Sequence, residues 1–151
     1  MDLSPHFLAV AKHRQLSPGE KFAEADLSRI SWSHQNAERT NFHDNSFDLV
    51  AVCFMFHELP QKASDYILAE LFRITSPGGM VAITDNNPKS PVIQGLPPAL
   101  FTLMKSTEPW SDEYYVYDLE AALQKAGFDA VKTEATDPRH RTVMATKRAS
   151  R

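Results

Sequence analysis

The sequence predicts an α/β fold whose sheet is mostly parallel and ends in an antiparallel hairpin. Helical stripes alternate with short apolar runs along the chain, the habit of a sheet covered by helices. The run from Phe47 to Phe56 is almost uninterrupted apolar, as expected of a strand covered on both faces. Two strand-like segments close the chain around Asp137-Pro138, a turn pair. With 151 residues, 42% of them hydrophobic, the chain is long enough for one globular domain with a single core.

The elements follow in order. Ser4 and Pro5 read as the N-cap and first position of a helix with Phe7, Leu8 and Ala11 on one face. This helix starts almost at the first residue, so the strand that should precede it is missing. Gln15 to Ser28 is polar and broken by Ser17, Pro18 and Gly19, and ISWSH (30 to 34) is a strand candidate. Asp44, Asn45 and Ser46 form a turn before the Phe47 to Phe56 strand. Cys53, within that run, reads as inert packing. Ala63 to Ile74 carries a helical stripe of Ile67, Leu68, Leu71, Phe72 and Ile74 and stops at Ser76-Pro77-Gly78-Gly79, where glycine supplies positive φ. MVAIT (80 to 84) is a further buried strand. Leu119 to Ala126 is a helix closed by Gly127, and FDAVKTEAT and RTVMATK are the hairpin strands.

Composition limits the function classes. A net charge of −3 and a pI near 6.0 provide no basic face for a polyphosphate backbone, so nucleic acid is not an expected partner. No apolar run approaches the roughly 20 residues of a membrane span, and no membrane partner is expected. A single cysteine forms no internal disulfide and suits a reducing compartment such as the cytoplasm. A plastid address is the alternative if a targeting segment lies upstream. His57-Glu58 begins like a zinc-protease helix, but the second histidine of that motif would fall at Gln61, so no metal is expected.

Five stretches occur together in a recognisable order: DLSPHFLAVA, NAE (36 to 38) followed by F-x-D-N-S-F-D-L-V, H-E-L, E-L-F-R-I-T-S-P-G-G-M-V-A-I-T-D, and A-G-F before the hairpin. In this order the chain resembles the class I S-adenosylmethionine-dependent methyltransferases of the small-molecule type, over nearly its whole length. The resemblance implies a Rossmann-like methyltransferase sheet, a single partial domain over 1–151 that lacks the first two strands, with 85–117 as a lid or substrate-binding insertion. The family's first strand ends in a G-x-G loop, yet none of the five glycines here forms one. The expectation is therefore an N-terminally shortened chain with open sheet edges, prone to self-association or to pairing with a partner chain.

The same resemblance implies S-adenosyl-L-methionine as cofactor, held by Asp2, Leu3, Asn36, Ala37, Glu38 and Phe56. Asp2 stands where the family places a carboxylate that accepts from the ribose hydroxyls. Asn36 replaces an acid at the adenine edge; its amide oxygen accepts from an exocyclic amine while Ala37 offers a main-chain N–H. A plain polar turn is the competing reading of Asn36. His57, at the strand mouth, is the candidate base for the acceptor's proton, a structural histidine being the alternative. Trp110, Tyr114 and Tyr115 are candidate walls of an acceptor pocket, or a cover for the sheet, and Glu108 is the candidate to orient a polar group of the substrate. The implied reaction is methyl transfer to a small molecule; the alternative is a non-catalytic chain that pairs with a partner.

Overall fold

The computed structural model describes residues 1–16 and 29–149. They fall into two units, Met1–Asn41 and Phe42–Arg151. Most of the polar stretch from Gln15 to Ser28 lies outside the described residues.

In the first unit, helix α1 spans Pro5–Leu16. Its start follows from local chemistry: the Ser4 hydroxyl accepts the Phe7 N–H at 3.3 Å, and Pro5 enters where no amide donor is needed. Leu8 and Ala11 are half-buried, but Phe7 stands in solvent. ISWSH does not form a strand. Among the described residues its pairing is an isolated parallel bridge between His34 and Asp2, in which Asp2 N–H donates to Ser33 and Gln35 N–H donates to Asp2. A ladder needs successive paired residues, and Asp2 is followed at once by the turn into α1.

The second unit is built on a four-stranded sheet in the order β1-β2-β4-β3. Strand β1 (Phe47–Cys53) runs parallel to β2 (Thr75–Asn86); β4 (His140–Thr146) lies antiparallel between β2 and β3 (Asp129–Ala135). The sheet is thus mixed, with the expected C-terminal hairpin and one parallel pair. Helix α2 (Gln61–Ile74) connects the parallel strands, and α6 (Leu119–Ala126) precedes the hairpin. Ile67, Leu68, Leu71 and Ile74 of α2 are buried, as are Leu119 and Leu123 of α6 and Val81, Ile83, Val143 and Ala145 of the sheet. Gly127 ends α6 at φ +109°, and a Cβ there would meet the Phe72 ring at 2.9 Å.

The Ser-Pro-Gly-Gly segment belongs to β2, not to a free turn. Between Phe47↔Thr75 and Leu49↔Met80 the register slips, and Gly78 absorbs the kink at φ +84°. The expectation that β1 is covered on both faces fails. As the edge strand it leaves Leu49 at 56% exposure, and Cys53 is exposed, not packed. Burial along β2 alternates in the same one-sided way from Gly79 to Asn86.

Beyond β2 the chain forms three short helices, α3 (Pro91–Gln94), α4 (Pro98–Ser106) and α5 (Ser111–Val116). No helix among the described residues is long and apolar enough to cross a membrane.

Candidate functional site

Parallel pairing of β1 and β2 brings their carboxyl ends side by side, with Cys53 opposite Thr84. The residue after Thr84 is Asp85, 1% exposed, and it lies beside the turn that leaves β1. That turn is a 3₁₀ segment, Phe56–Glu58, whose first amides have no partner of their own. Asp85 supplies it. One carboxylate oxygen, Oδ2, accepts the N–H groups of Met55 at 3.1 Å and Phe56 at 2.8 Å. The other, Oδ1, accepts the Asn86 N–H at 2.7 Å and contacts His57 Nδ1 at 2.6 Å.

This arrangement sets the chemistry of His57. With Nδ1–H donated to Asp85, the neutral ring carries its lone pair on Nε2. His57 is 9% exposed, and its pKa is raised, first by the Asp85 hydrogen bond and against the opposing pull of burial; the charges of Asp85, Glu108 and Glu58 add to the rise. Nε2 lies 3.5 Å from Glu58 Oε1.

Helix α5 closes over this mouth because its own side chains tie it there. The Glu113 carboxylate accepts the Gln61 N–H at 3.0 Å, filling the N-terminus of α2, and Gln61 Nε2 donates to the Glu113 carbonyl at 3.0 Å. The Tyr114 hydroxyl donates to the Asn86 carbonyl at 2.6 Å, and its ring meets His57 edge to face at 6.3 Å. Burial drives the Tyr114 hydroxyl pKa upward. Tyr115 stacks edgewise on Phe101 at 5.9 Å and on Tyr114 at 6.1 Å. Burial and then the Glu108 charge also raise the pKa of Tyr115.

Docking α5 in this way carries Glu108 to His57. Ligand atoms of His57, Glu58 and Glu108 all lie within 4.8 Å of one another. Glu108 Oε2, Ser111 Oγ and Tyr115 Oη are buried without a hydrogen-bond partner among the described residues, which is costly unless something else reaches them. Trp110 is exposed at the start of α5.

The residues expected to hold a cofactor divide between the two units. In the first, Asp2 and the 34–38 segment are joined by the bridge at His34. Asp2 Oδ1 accepts the Ser4 N–H at 2.7 Å, and the Leu3 carbonyl bonds His34 Nε2 at 2.7 Å while the Leu3 side chain is exposed. Asn36 Oδ1 accepts the Glu38 N–H at 2.9 Å, an Asx turn that leaves one lone pair on that oxygen. Ala37 is half-buried and Glu38 exposed. In the second unit Phe56 is fully buried: its side chain is core and its N–H already belongs to Asp85.

Asp85 is the residue that sequence reasoning passes over. Its signal was an acid directly after a buried strand, a position at the carboxyl edge where open α/β sheets gather ligands.

Comparison with known proteins agrees with this fold. A demethylmenaquinone methyltransferase of Listeria monocytogenes is 36% identical over 87 residues, 58% of this chain and 33% of the relative. One from Shouchella clausii is 34% identical over 97 residues, 64% of this chain and 37% of the relative. The chain thus spans about a third of the length of these curated relatives. Among solved structures, a Haemonchus contortus phosphoethanolamine N-methyltransferase with phosphomonomethylethanolamine and S-adenosylhomocysteine superposes with a TM-score of 0.70 at 20% identity, over 97% of this chain and 43% of that one. A methyltransferase of Methanosarcina mazei gives 0.65 at 18% identity, over 99% and 81%. The methyltransferase domain family itself matches residues 1–83, more than half of the 151, and to that family this chain belongs.

Proposed function

We propose that this chain binds S-adenosyl-L-methionine and takes part in transferring its methyl group to a small-molecule acceptor, with His57 receiving the acceptor's proton. The observation that carries this reading is the Asp85–His57 pair at the carboxyl edge of the sheet, in a chain of a methyltransferase family. When bound, the cofactor supplies an electrophilic methyl on a sulfonium. The protein's part is to align the acceptor and remove its proton.

The first unit offers groups that suit a nucleoside. Asp2 keeps a carboxylate oxygen beyond the one given to Ser4, suited to a ribose diol. Asn36 keeps a lone pair, and the Ala37 N–H has no partner among the described residues, which together suit the donor and acceptor of an adenine edge. Leu3 and Glu38 flank these groups on the same two segments. In the second unit Asp85 holds His57 in the tautomer that accepts at Nε2 and stabilises the imidazolium once the proton has arrived. Tyr115, Trp110 and Glu108 supply aromatic surface and a hydrogen-bond acceptor for the methyl acceptor.

Photochemical crosslinking of S-adenosyl-L-methionine tritiated on the adenine ring, followed by peptide mapping, tests the assignment. Label is expected in peptides containing Asp2 or Asn36 to Glu38, to be suppressed by excess S-adenosylhomocysteine and weakened in Asp2→Ala. Label confined to other peptides, or indifferent to the competitor, refutes it.

A second reading, that a partner chain or a second copy completes the sheet, draws support from β1. Its Leu49 is 56% exposed and Phe54, just beyond it, 51%, an apolar strand edge of the kind that pairs. Sedimentation velocity tests the second copy: a monomer across the micromolar range removes self-pairing.

A further inference from the structure

We propose that His57 Nε2 and the carboxylates of Glu58 and Glu108 form a binding site for one divalent transition-metal ion, zinc being the ion that suits these donors.

Three observations converge. The first is spacing. Nitrogen and oxygen donors at about 2.0–2.2 Å from a tetrahedral zinc stand about 3.4 Å apart. His57 Nε2 and Glu58 Oε1 are 3.5 Å apart, and the Glu108 donor completes a set within 4.8 Å. The second is the ring's orientation. Asp85 takes Nδ1–H at 2.6 Å, so the free lone pair is on Nε2, and a carboxylate behind a ligating histidine both fixes the tautomer and raises its basicity. His57 is nine-tenths buried, so this geometry is held by packing. The third is Glu108 Oε2, buried with no hydrogen-bond partner among the described residues. Lys105, three residues earlier, pairs with Asp112 instead. A protonated His57 donating to Asp85 and Glu58 would satisfy those two groups and still leave Glu108 unmet. A cation satisfies all three.

One imidazole and two carboxylates suit zinc, and three protein ligands leave a fourth position open. The sequence motif hides the site because its third ligand lies 50 residues downstream of Glu58, brought in when α5 docks. An ion here takes the lone pair that His57 needs for the acceptor's proton, so zinc acts as an inhibitor of the proposed transfer. The binding site itself stands independently of that transfer.

Calorimetric titration of zinc into the full chain tests this, in a Cys53→Ser background because the Cys53 thiol is exposed and would compete. One equivalent is expected, weakened at least tenfold by Glu58→Gln and by Glu108→Gln, and unchanged by His140→Asn in the distant-in-sequence hairpin. Glu58 is half-exposed, so its substitution leaves folding intact, and circular dichroism checks Glu108→Gln. No saturable binding below about 100 μM, where the affinity falls short of about 5.5 kcal/mol, overturns the proposal. So does an equivalent that survives both glutamate substitutions, which marks an adventitious surface site.

Discussion

Replacing Asp85 by Asn keeps the shape of the side chain and removes half of its accepting capacity. Four donors converge on two oxygens: Met55 and Phe56 N–H on Oδ2, Asn86 N–H and His57 Nδ1–H on Oδ1. An amide offers one oxygen and one NH₂. Turned so that the oxygen meets Met55 and Phe56, it sets NH₂ against Asn86 N–H and His57. The imidazole adapts by moving its proton to Nε2, but the Asn86 amide has no such freedom. The opposite orientation strands two backbone amides, so the first is preferred. One buried donor without an acceptor costs about 1–3 kcal/mol, and the bonds that remain lose their charge assistance, so the sum is about 2–4 kcal/mol. At a urea m-value of about 2 kcal/mol/M this lowers the unfolding midpoint by about 1–2 M. Proton NMR titration reads the second effect: His57 loses the interaction that contributes most to its raised pKa, so its titration moves to lower pH. An unfolding midpoint within about 0.3 M of the original, together with an unmoved His57 titration, refutes the reasoning.

Two further outcomes follow from the same contacts. Because folding raises the His57 pKa above 6.5, the protonated ring contributes stability that is fully present below pH 6.5 and is lost as pH rises through the folded value; urea unfolding of the wild type against His57→Asn should therefore show a difference that shrinks from acid to alkaline pH, and a pH-independent difference contradicts the linkage. Lys147 Nζ donates to the Phe72 carbonyl at 2.6 Å, the Thr75 carbonyl at 2.9 Å and Asn45 Oδ1 at 2.8 Å, closing the C-terminus of α2. Lys147→Met retains the aliphatic stem and loses these bonds, so thermal unfolding should report about 1–2 kcal/mol less stability.

The elements that sequence reasoning places well are those whose cause is local. Ser4-Pro5 starts α1, the Ile67–Ile74 stripe makes α2, Gly127 stops α6, and Asp137-Pro138 turns the hairpin. ISWSH misleads because strand formation depends on a partner, and among the described residues Asp2 alone provides one. The apolar composition of β1 implies two covered faces, yet its place at the sheet edge leaves Leu49 and Cys53 in solvent. The site shows the same division. His57 is legible as a polar residue ending an apolar run, whereas its partner Asp85 lies 28 residues away and meets it through strand register. Glu108 is legible as a candidate for the acceptor pocket, but not as a neighbour of His57. Its approach to His57 follows from the Glu113–Gln61 tie, a contact that no periodicity encodes.

The claim on which the functional account rests is that this chain holds the methyl donor, and calorimetric titration with S-adenosylhomocysteine addresses it most directly. The account predicts saturable binding of one equivalent at micromolar strength, weakened by Asp2→Ala. Absence of binding up to millimolar ligand, with circular dichroism showing the folded chain, contradicts it.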